Sequence, residues 1–458
     1  MLKAAMAGLA LAAITAAPLA AQTSVTKRYD DGSVYEGDSR NGRQHGRGVY
    51  TMPNGYRYEG DWVEGRIQGQ GVAQFPDGSV YEGHFADALP DGRGKITYPG
   101  GGSYEGEWVA GKIQGTGVAT YANGAVYEGE FKDGQRDGQG RIVETSGYRY
   151  EGQWRNGEKE GTGRITYPDG AVYEGSLLSG MRAGKGKLTM PDGMVYDGIW
   201  AADRMEGTGT LTEASGISYT GQMVDGRREG QGVATYANGD VYEGRFKDDK
   251  RDGQGTLTRA DGYVYSGGWV DGVKQGEGRV TYPDGAVYEG QMQADKPHGQ
   301  GRITYADGAT YEGEWTEGRV TGQGRATYPN GIVYEGAFVD AKAQGRGTMT
   351  YPDGMVYTGD WKADRRDGQG RATYPDGAVY EGGYVADLRE GQGTYTGADG
   401  FTYTGGWKAG EMDGEGRAEF PNGDVYEGRF EAGTLADDGA PDQPPAPVAD
   451  NGPPPPAP

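Results

Sequence analysis

The 458-residue chain has no cysteine and only three histidines. The absence of cysteine excludes disulfide bonds, a thiol nucleophile and a lipidated N-terminal cysteine. The histidines are His45, His84 and His298, and eleven copies of the repeat described below separate the first from the last. We therefore expect no shared histidine site, and the sequence predicts no catalytic residue, no metal ligand and no cofactor.

Large apolar residues are also scarce. Leu, Ile, Val and Phe together make up about one eighth of the chain, and the net charge is −22. This combination usually indicates disorder. Glycine, with 90 residues, and tyrosine, with 34, are expected to supply the order instead. Glycine permits turns and close strand packing, and tyrosine provides a large, half-polar ring.

The one long apolar run lies at the N-terminus, where Lys3 precedes an apolar stretch from Ala4 to Ile14. This pattern is typical of a secretory signal peptide, and we predict that residues 1–21 are removed by cleavage after Ala21. A membrane anchor is the alternative, but the run is short and Pro18 interrupts it. No second long apolar stretch follows, so no transmembrane span is predicted. Export without cysteine favours a periplasmic or secreted location in a bacterium.

A tyrosine recurs at a fixed interval of 23 residues from Tyr35 to Tyr426, giving eighteen copies without an insertion. One glycine stands two residues after each of these tyrosines, and another stands three residues before it. A period this strict indicates a stacked array in which each copy buries its face only against its neighbours. Function is then expected from an extended surface rather than from one cleft.

Each copy has the periodicity of strands. Tyr58, Gly60 and Trp62 alternate with acidic residues, which places them on one face of a strand. A second strand with a Gly-x-Gly motif follows, here Gly69 and Gly71, and Pro-Asp-Gly or Pro-Asn-Gly turns lead to the next copy. The sequence thus predicts an all-β fold, an elongated single-layer antiparallel sheet of tandem 23-residue β-hairpins.

The repeated rings and glycines are predicted to anchor the core rather than to form a binding site. The anchors that we single out are Tyr58, Gly60, Trp62, Gly69, Gly71, Tyr311, Gly313, Trp315, Gly322 and Gly324. Tryptophan and a smaller residue alternate at the fifth position of the copies until the phase slips at Met223 and Phe246. We therefore predict a seam within residues 201–260.

Three segments are predicted along the chain. Residues 1–21 form the signal peptide and residues 22–433 form the array of about eighteen copies. Residues 434–458 form a disordered, acidic, proline-rich tail, because proline lacks the donor that a further strand would need. The alternative for this tail is a polyproline segment that binds a partner.

The motif Tyr-Glu-Gly-x-Trp-x-x-Gly-x-x-x-Gly-x-Gly, present as YEGDWVEGRIQGQG from Tyr58 and YEGEWTEGRVTGQG from Tyr311, resembles the MORN repeat. The likeness covers roughly residues 24–433. It implies a long antiparallel sheet used as a scaffold, a dimerising rod or a membrane-associated module. The kinase domain that accompanies such repeats in some relatives is absent, so the resemblance implies no enzyme.

The charged residues are predicted to form a solvated face. Glutamates that follow the repeat tyrosines, such as Glu174, should pair with the basic residue after each Gly-x-Gly, such as Arg164. The Pro-Asp-Gly turns offer one carboxylate each, so weak calcium binding by an aligned row such as Asp77, Asp169, Asp192 and Asp284 is the alternative to a purely structural turn. A pI of about 4.6 disfavours nucleic acid and anionic bilayers as partners.

These observations favour a non-enzymatic structural or protein-interaction protein of the bacterial cell envelope, with a protein partner or self-association. The alternative is a module that binds cell-wall glycan or lipid headgroups through exposed rings. The two differ in one feature: stacking on sugars requires Trp62, Trp108, Trp315 and their equivalents to be largely exposed.

Overall fold

The computed structural model describes residues 23–436, which form 37 strands joined by turns. No helix occurs among these residues, and hence none that could cross a lipid bilayer. The predicted signal peptide and residues 437–458 of the predicted tail lie outside the described residues. Thr434–Leu435, at the start of the predicted tail, pair with the preceding strand.

The chain divides into two compact units, which meet in sequence at Ala214 and Ser215. This division falls within the segment 201–260, where we predict a seam. Strand pairing on the C-terminal side of the division follows the same register as elsewhere. The change of ring phase at Met223 therefore leaves the backbone pattern unaltered there.

The first unit contains β1 to β17, with the following bounds: β1 Thr23–Arg28, β2 Val34–Arg40, β3 Arg43–Thr51, β4 Arg57–Val63, β5 Arg66–Gln74, β6 Val80–Ala86, β7 Leu89–Tyr98, β8 Gly102–Val109, β9 Lys112–Thr120, β10 Val126–Lys132, β11 Gln135–Val143, β12 Arg149–Arg155, β13 Glu158–Thr166, β14 Val172–Leu178, β15 Met181–Thr189, β16 Val195–Ala201 and β17 Arg204–Thr212.

The second unit contains β18 to β37, with the following bounds: β18 Ser218–Val224, β19 Arg227–Thr235, β20 Val241–Lys247, β21 Lys250–Thr258, β22 Val264–Val270, β23 Val273–Thr281, β24 Val287–Gln293, β25 Lys296–Thr304, β26 Thr310–Thr316, β27 Arg319–Thr327, β28 Val333–Val339, β29 Lys342–Thr350, β30 Val356–Lys362, β31 Arg365–Thr373, β32 Val379–Val385, β33 Leu388–Thr396, β34 Thr402–Lys408, β35 Glu411–Glu419, β36 Val425–Glu431 and β37 Thr434–Leu435.

Within each unit every strand pairs antiparallel with the strand that follows it in sequence, which confirms the predicted sheet of tandem hairpins. The pairing of β4 with β5 shows the register of one copy. Gly60 lies opposite Gly71, but Trp62 lies opposite Ile67, so the second strand carries two extra residues between these pairs. Gly69 absorbs this bulge with a φ of 101°, a conformation that glycine adopts without strain.

Two kinds of turn join the strands. Glu64 and Gly65 connect β4 to β5 with positive φ at both residues, as a type I′ hairpin requires. The Pro-Asp-Gly turn connects β5 to β6, and the amide of Gly78 donates to the carbonyl of Phe75 at 2.9 Å. The Asp77 carboxylate accepts from the amide of Ser79 at 2.9 Å, which explains the acid in this turn without a bound ion.

The core of each copy is a tyrosine ring that lies flat over a pair of glycines. Tyr58 is fully buried, and its ring covers Gly60 and Gly71. A Cβ added to Gly71 would stand 2.5 Å from the Tyr58 ring, and one added to Gly60 would stand 2.4 Å from its hydroxyl. The Tyr58 hydroxyl donates to the carbonyl of Asp61 at 3.0 Å.

This hydroxyl bond recurs in the copies from Tyr35 to Tyr403, at 2.6 to 3.1 Å. We call this arrangement the tyrosine cradle. It requires glycine at two positions for space and so explains the Tyr-x-Gly motif and the second glycine of Gly-x-Gly.

We expect Gly71→Ala to lower the free energy of unfolding by about 1 to 3 kcal/mol, because the new methyl group overpacks the cradle and the backbone does not depend on glycine there. Gly100→Ala is the matched control, since no atom lies within 4 Å of its Cβ position. Urea unfolding followed by tryptophan fluorescence measures both. Equal stability of the two variants would show that the ring does not need the space.

Candidate interaction surface on the aromatic face

The aromatic face is the face of each sheet that carries the repeat tyrosines and the rings four residues after them. Its rings pack edge to face across copies. The Trp62 ring lies 5.1 Å from the Tyr35 ring and 5.7 Å from the Tyr58 ring, at interplanar angles of 76° and 78°. Phe85 bridges Tyr58 and Tyr81 at 5.0 Å each. Each ring at this position therefore ties its own copy to the preceding one.

All eight tryptophans are buried in this ladder, with exposed fractions of 2 to 6%. Each indole nitrogen donates to the carbonyl of the second Gly-x-Gly glycine in the preceding copy, at 2.9 to 3.3 Å. The polar atom and the ring faces of tryptophan are thus used within the sheet. The exposed aromatic platform that glycan stacking needs is not formed by these residues.

The predicted anchors occupy equivalent places in the two units. Tyr311 and Trp315 are 4% and 6% exposed, like their counterparts Tyr58 and Trp62. Gly313 lies opposite Gly324 beneath the Tyr311 ring. Gly322 has a φ of 60° and lies opposite Phe338 of the next copy. The first Gly-x-Gly glycine is thus required for its backbone conformation and the second for the space it leaves.

The structure reveals a feature that the sequence interpretation missed, a column of cations on the aromatic face. The cation column is the position nine residues after each repeat tyrosine, from Gln44 to Met412. Eight of its members are basic, and every one of them lies over aromatic rings: Arg136, Lys159, Arg182, Arg228, Arg251, Lys274, Arg366 and Arg389. The spacing alone would have shown the recurrence of basic residues, but not that they contact rings.

Arg182 shows how these cations are held. Its guanidinium carbon lies 4.2 Å from the centre of the Trp200 ring in the next copy. The Nε donates to the Asp203 carboxylate at 3.0 Å and an Nη donates to the Asp203 carbonyl at 2.8 Å. Ring face, carboxylate and carbonyl together offset the cost of removing the charge from water. The same three partners recur where an aspartate ends the following hairpin turn, as for Arg228 and Arg366.

Arg366 and Arg389 are the most deeply buried cations, with exposed fractions of 2% and 1%. The Arg389 guanidinium lies 4.9 Å from the Trp407 ring centre and 5.1 Å from that of Tyr380. Its Nη2 donates to the Tyr374 hydroxyl at 2.9 Å. These residues are part of the packed core of the second unit rather than of its solvated surface.

Open hollows on the aromatic face occur where the cation column is uncharged. A hollow of about 800 Å³ surrounds Ile67 and Pro90 in the first unit, and one of about 360 Å³ surrounds Val320 in the second. Aromatic side chains line both hollows. None of the eight basic members of the cation column lies over the rings that line these two hollows.

The opposite face, the charged face, carries the glutamates and their basic partners. Arg164 lies 3.0 Å from Glu174, and Arg325 lies 2.7 Å from Glu335, both as cross-strand pairs between successive copies. All four side chains are more than half exposed, so each pair contributes little to stability. A shallow groove of about 580 Å³ runs over glycine pairs of this face near Arg371.

Within residues 23–436, the histidines and carboxylates are not gathered into one site. No group of three or more His, Asp or Glu side chains there is placed to hold a metal ion. His84 is hydrogen bonded to the carbonyl of Asp91 at 2.8 Å, and His45 lies 3.6 Å from Glu64. The turn aspartates Asp169 and Asp284 bond the amide two residues on, as Asp77 does.

The chain belongs to the MORN-repeat family. The family model matches seventeen successive segments between residues 35 and 425: 35–55, 58–80, 81–103, 104–126, 127–143, 150–172, 173–195, 196–217, 219–241, 242–262, 265–287, 288–310, 311–333, 334–356, 357–379, 380–402 and 403–425. No other family is matched, and a non-catalytic repeat or interaction role fits this membership.

Solved structures with some likeness include the TCP domain of Drosophila melanogaster SAS-4 in complex with a proline-rich motif of Ana2. It is 15% identical, and the match covers 39% of this chain and 90% of that one, with a TM-score of 0.23. The TCP10 domain of Danio rerio CPAP in complex with a STIL peptide is 16% identical, covering 74% and 100%, with a TM-score of 0.15. A streptogramin B lyase is 12% identical, covering 65% and 92%, with a TM-score of 0.12. The search of curated proteins found no match.

We expect Arg366→Ala to lower the free energy of unfolding by about 2 to 4 kcal/mol, because it removes ring contacts and the cationic partner of the Asp387 carboxylate. Arg365→Ala is the matched control, since this neighbouring arginine points to solvent and should cost less than about 0.5 kcal/mol. Urea unfolding monitored by circular dichroism distinguishes them. Similar midpoints for the two variants would contradict a structural role for the cation column.

Proposed function

We propose that this chain is a non-enzymatic scaffold or protein-interaction protein of the bacterial cell envelope, which binds a protein partner or another copy of itself. The observation that carries the proposal is the exposed apolar series along one edge of each unit. We call this edge the hairpin rim. Its members stand five residues after the repeat tyrosines, at the end of each tyrosine strand.

Seven rim positions carry a large apolar residue that is 44 to 57% exposed: Val63, Val109, Leu178, Val224, Val270, Val339 and Val385. Lysine occupies some of the intervening positions, so that Val339, Lys362 and Val385 follow one another in successive copies. Exposed apolar side chains that recur at one position of the repeat are typical of a protein-binding surface. A single exposed valine would need no explanation, but a periodic series does.

The envelope location rests on the signal-like sequence of residues 1–21. The alternative role, binding of cell-wall glycan or lipid headgroups through exposed rings, gains no support because the tryptophans are buried. The charged face repeats pairs of opposite charge rather than a cluster of one sign, which also offers little to an anionic headgroup. Binding of a protein partner along the hairpin rim is the role that the surface supports best.

Photo-crosslinking in intact cells tests this role. A photoreactive residue in place of Val270 on the hairpin rim should yield specific protein adducts, which mass spectrometry identifies as a partner or a second copy. Glu289 on the charged face and Asp284 in a Pro-Asp-Gly turn are the matched exposed controls in neighbouring copies. Absence of protein adducts at all three positions would contradict an interaction role.

A further inference from the structure

Three tyrosines that stand two residues before a repeat tyrosine point to a ligand site. This position holds tyrosine only in Tyr56, Tyr148 and Tyr263 among the copies from Tyr35 to Tyr426. Two of the three face the only lysines of the cation column, which stand eleven residues further on. The third, Tyr56, faces Ile67 instead.

In the two copies with lysine, the ammonium group sits in a cage of tyrosines. The Lys159 Nζ lies 2.6 Å from the Tyr148 hydroxyl and 5.0 and 5.7 Å from the ring centres of Tyr148 and Tyr150. The Lys274 Nζ has the same partners in its own copy, at 2.8 Å from the Tyr263 hydroxyl. Ring faces and a hydroxyl acceptor are the groups that hold an ammonium ion in proteins.

A further ring packs against the first tyrosine of each cage. The Tyr148 ring lies 6.1 Å from Tyr167, at an interplanar angle of 72°. The Tyr263 ring lies 6.0 Å from Tyr282, at the same angle. Each cage thus consists of two tyrosines that hold the ammonium and a third ring that supports the first of them, all at fixed offsets in the repeat.

The Tyr56 copy repeats the cage without the lysine. Tyr56 lies 5.9 Å from Phe75, which occupies the place of Tyr167 and Tyr282. Ile67 in the lysine position has no polar atom, and the Tyr56 hydroxyl makes no hydrogen bond to any residue of the described range 23–436. The hollow of about 800 Å³ opens at this point, and Tyr50 and Trp62 add two rings to its wall.

We propose that this hollow binds the ammonium group of a lysine side chain supplied by a partner protein. The lysine would place its ammonium against the Tyr56 hydroxyl and ring, as Lys159 and Lys274 do in their own copies. The net charge of −22 attracts basic segments. Asp87 at the mouth supplies a carboxylate, which lies 2.9 Å from Arg66 with both side chains mostly exposed.

The inference rests on the proposed function in one respect only, namely that a partner protein supplies the lysine. A small amine tests the site without any partner, and the crosslinking experiment tests the role without the site. Saturation-transfer NMR on the full chain, with n-butylammonium as the probe, measures binding. We expect transfer to n-butylammonium and none to n-butanol, which has a similar chain without the charge.

Variants of the cage then locate the binding. Tyr56→Phe removes only the hydroxyl acceptor and should weaken n-butylammonium binding about fivefold, as expected for one hydrogen bond. Ile67→Lys should abolish binding, because the new side chain fills the cage as Lys159 does. Tyr148→Phe, which removes the same hydroxyl from an occupied cage, should leave probe binding unchanged.

Three results would overturn the proposal. They are the absence of transfer to n-butylammonium in the unaltered chain, equal transfer to n-butanol, which indicates an apolar site, and binding that neither Tyr56→Phe nor Ile67→Lys reduces. Because Ile67→Lys places a charge in the core, circular dichroism of this variant must match the parent. If the spectrum of Ile67→Lys differs from that of the parent, Tyr56→Phe alone decides whether the probe binds in this hollow.

Discussion

The packing of a tyrosine ring flat over a pair of facing glycines is the constraint on which the rest of the structure depends. Tyr58 over Gly60 and Gly71 is one instance, and the hydroxyl bond to the carbonyl three residues on fixes the ring direction. Because the ring lies along the sheet rather than standing on it, the next ring packs against its edge. A sheet with few aliphatic residues thereby gains a core that consists mostly of aromatic rings.

The burial of the rings determines which surfaces of the protein remain exposed. Rings that bury their faces and satisfy their polar atoms within the sheet offer little surface to a ligand. The surfaces left are the exposed valines of the hairpin rim, the ion pairs of the charged face and the hollows beside Ile67 and Val320. These surfaces recur along the chain, so an interaction of this protein would use an extended surface, as in other repeat proteins.

The strand order, the hairpins and the burial of Tyr58 and Trp62 could be predicted from the sequence, because a 23-residue period with alternating rings permits few other folds. The two Gly-x-Gly glycines were predicted to serve close packing, which holds for Gly71, whereas Gly69 serves a bulge that only the register reveals. The cation column could not be predicted. Arginine next to an acid, as in Arg136, resembles a solvated charge until the ring of the next copy is placed above it.

Alkaline titration of the phenols, followed by ultraviolet absorbance together with circular dichroism, tests the tyrosine cradle most directly. Burial raises the pKa of cradle tyrosines such as Tyr81 and Tyr104 to about 12, against about 10 in an unfolded chain. The unfolded chain then loses protons first, so stability falls as the pH rises above about 10. The account predicts that the cradle tyrosines ionise only with loss of the β spectrum. Ionisation of all 34 tyrosines near pH 10 in a chain that keeps its native spectrum would contradict it.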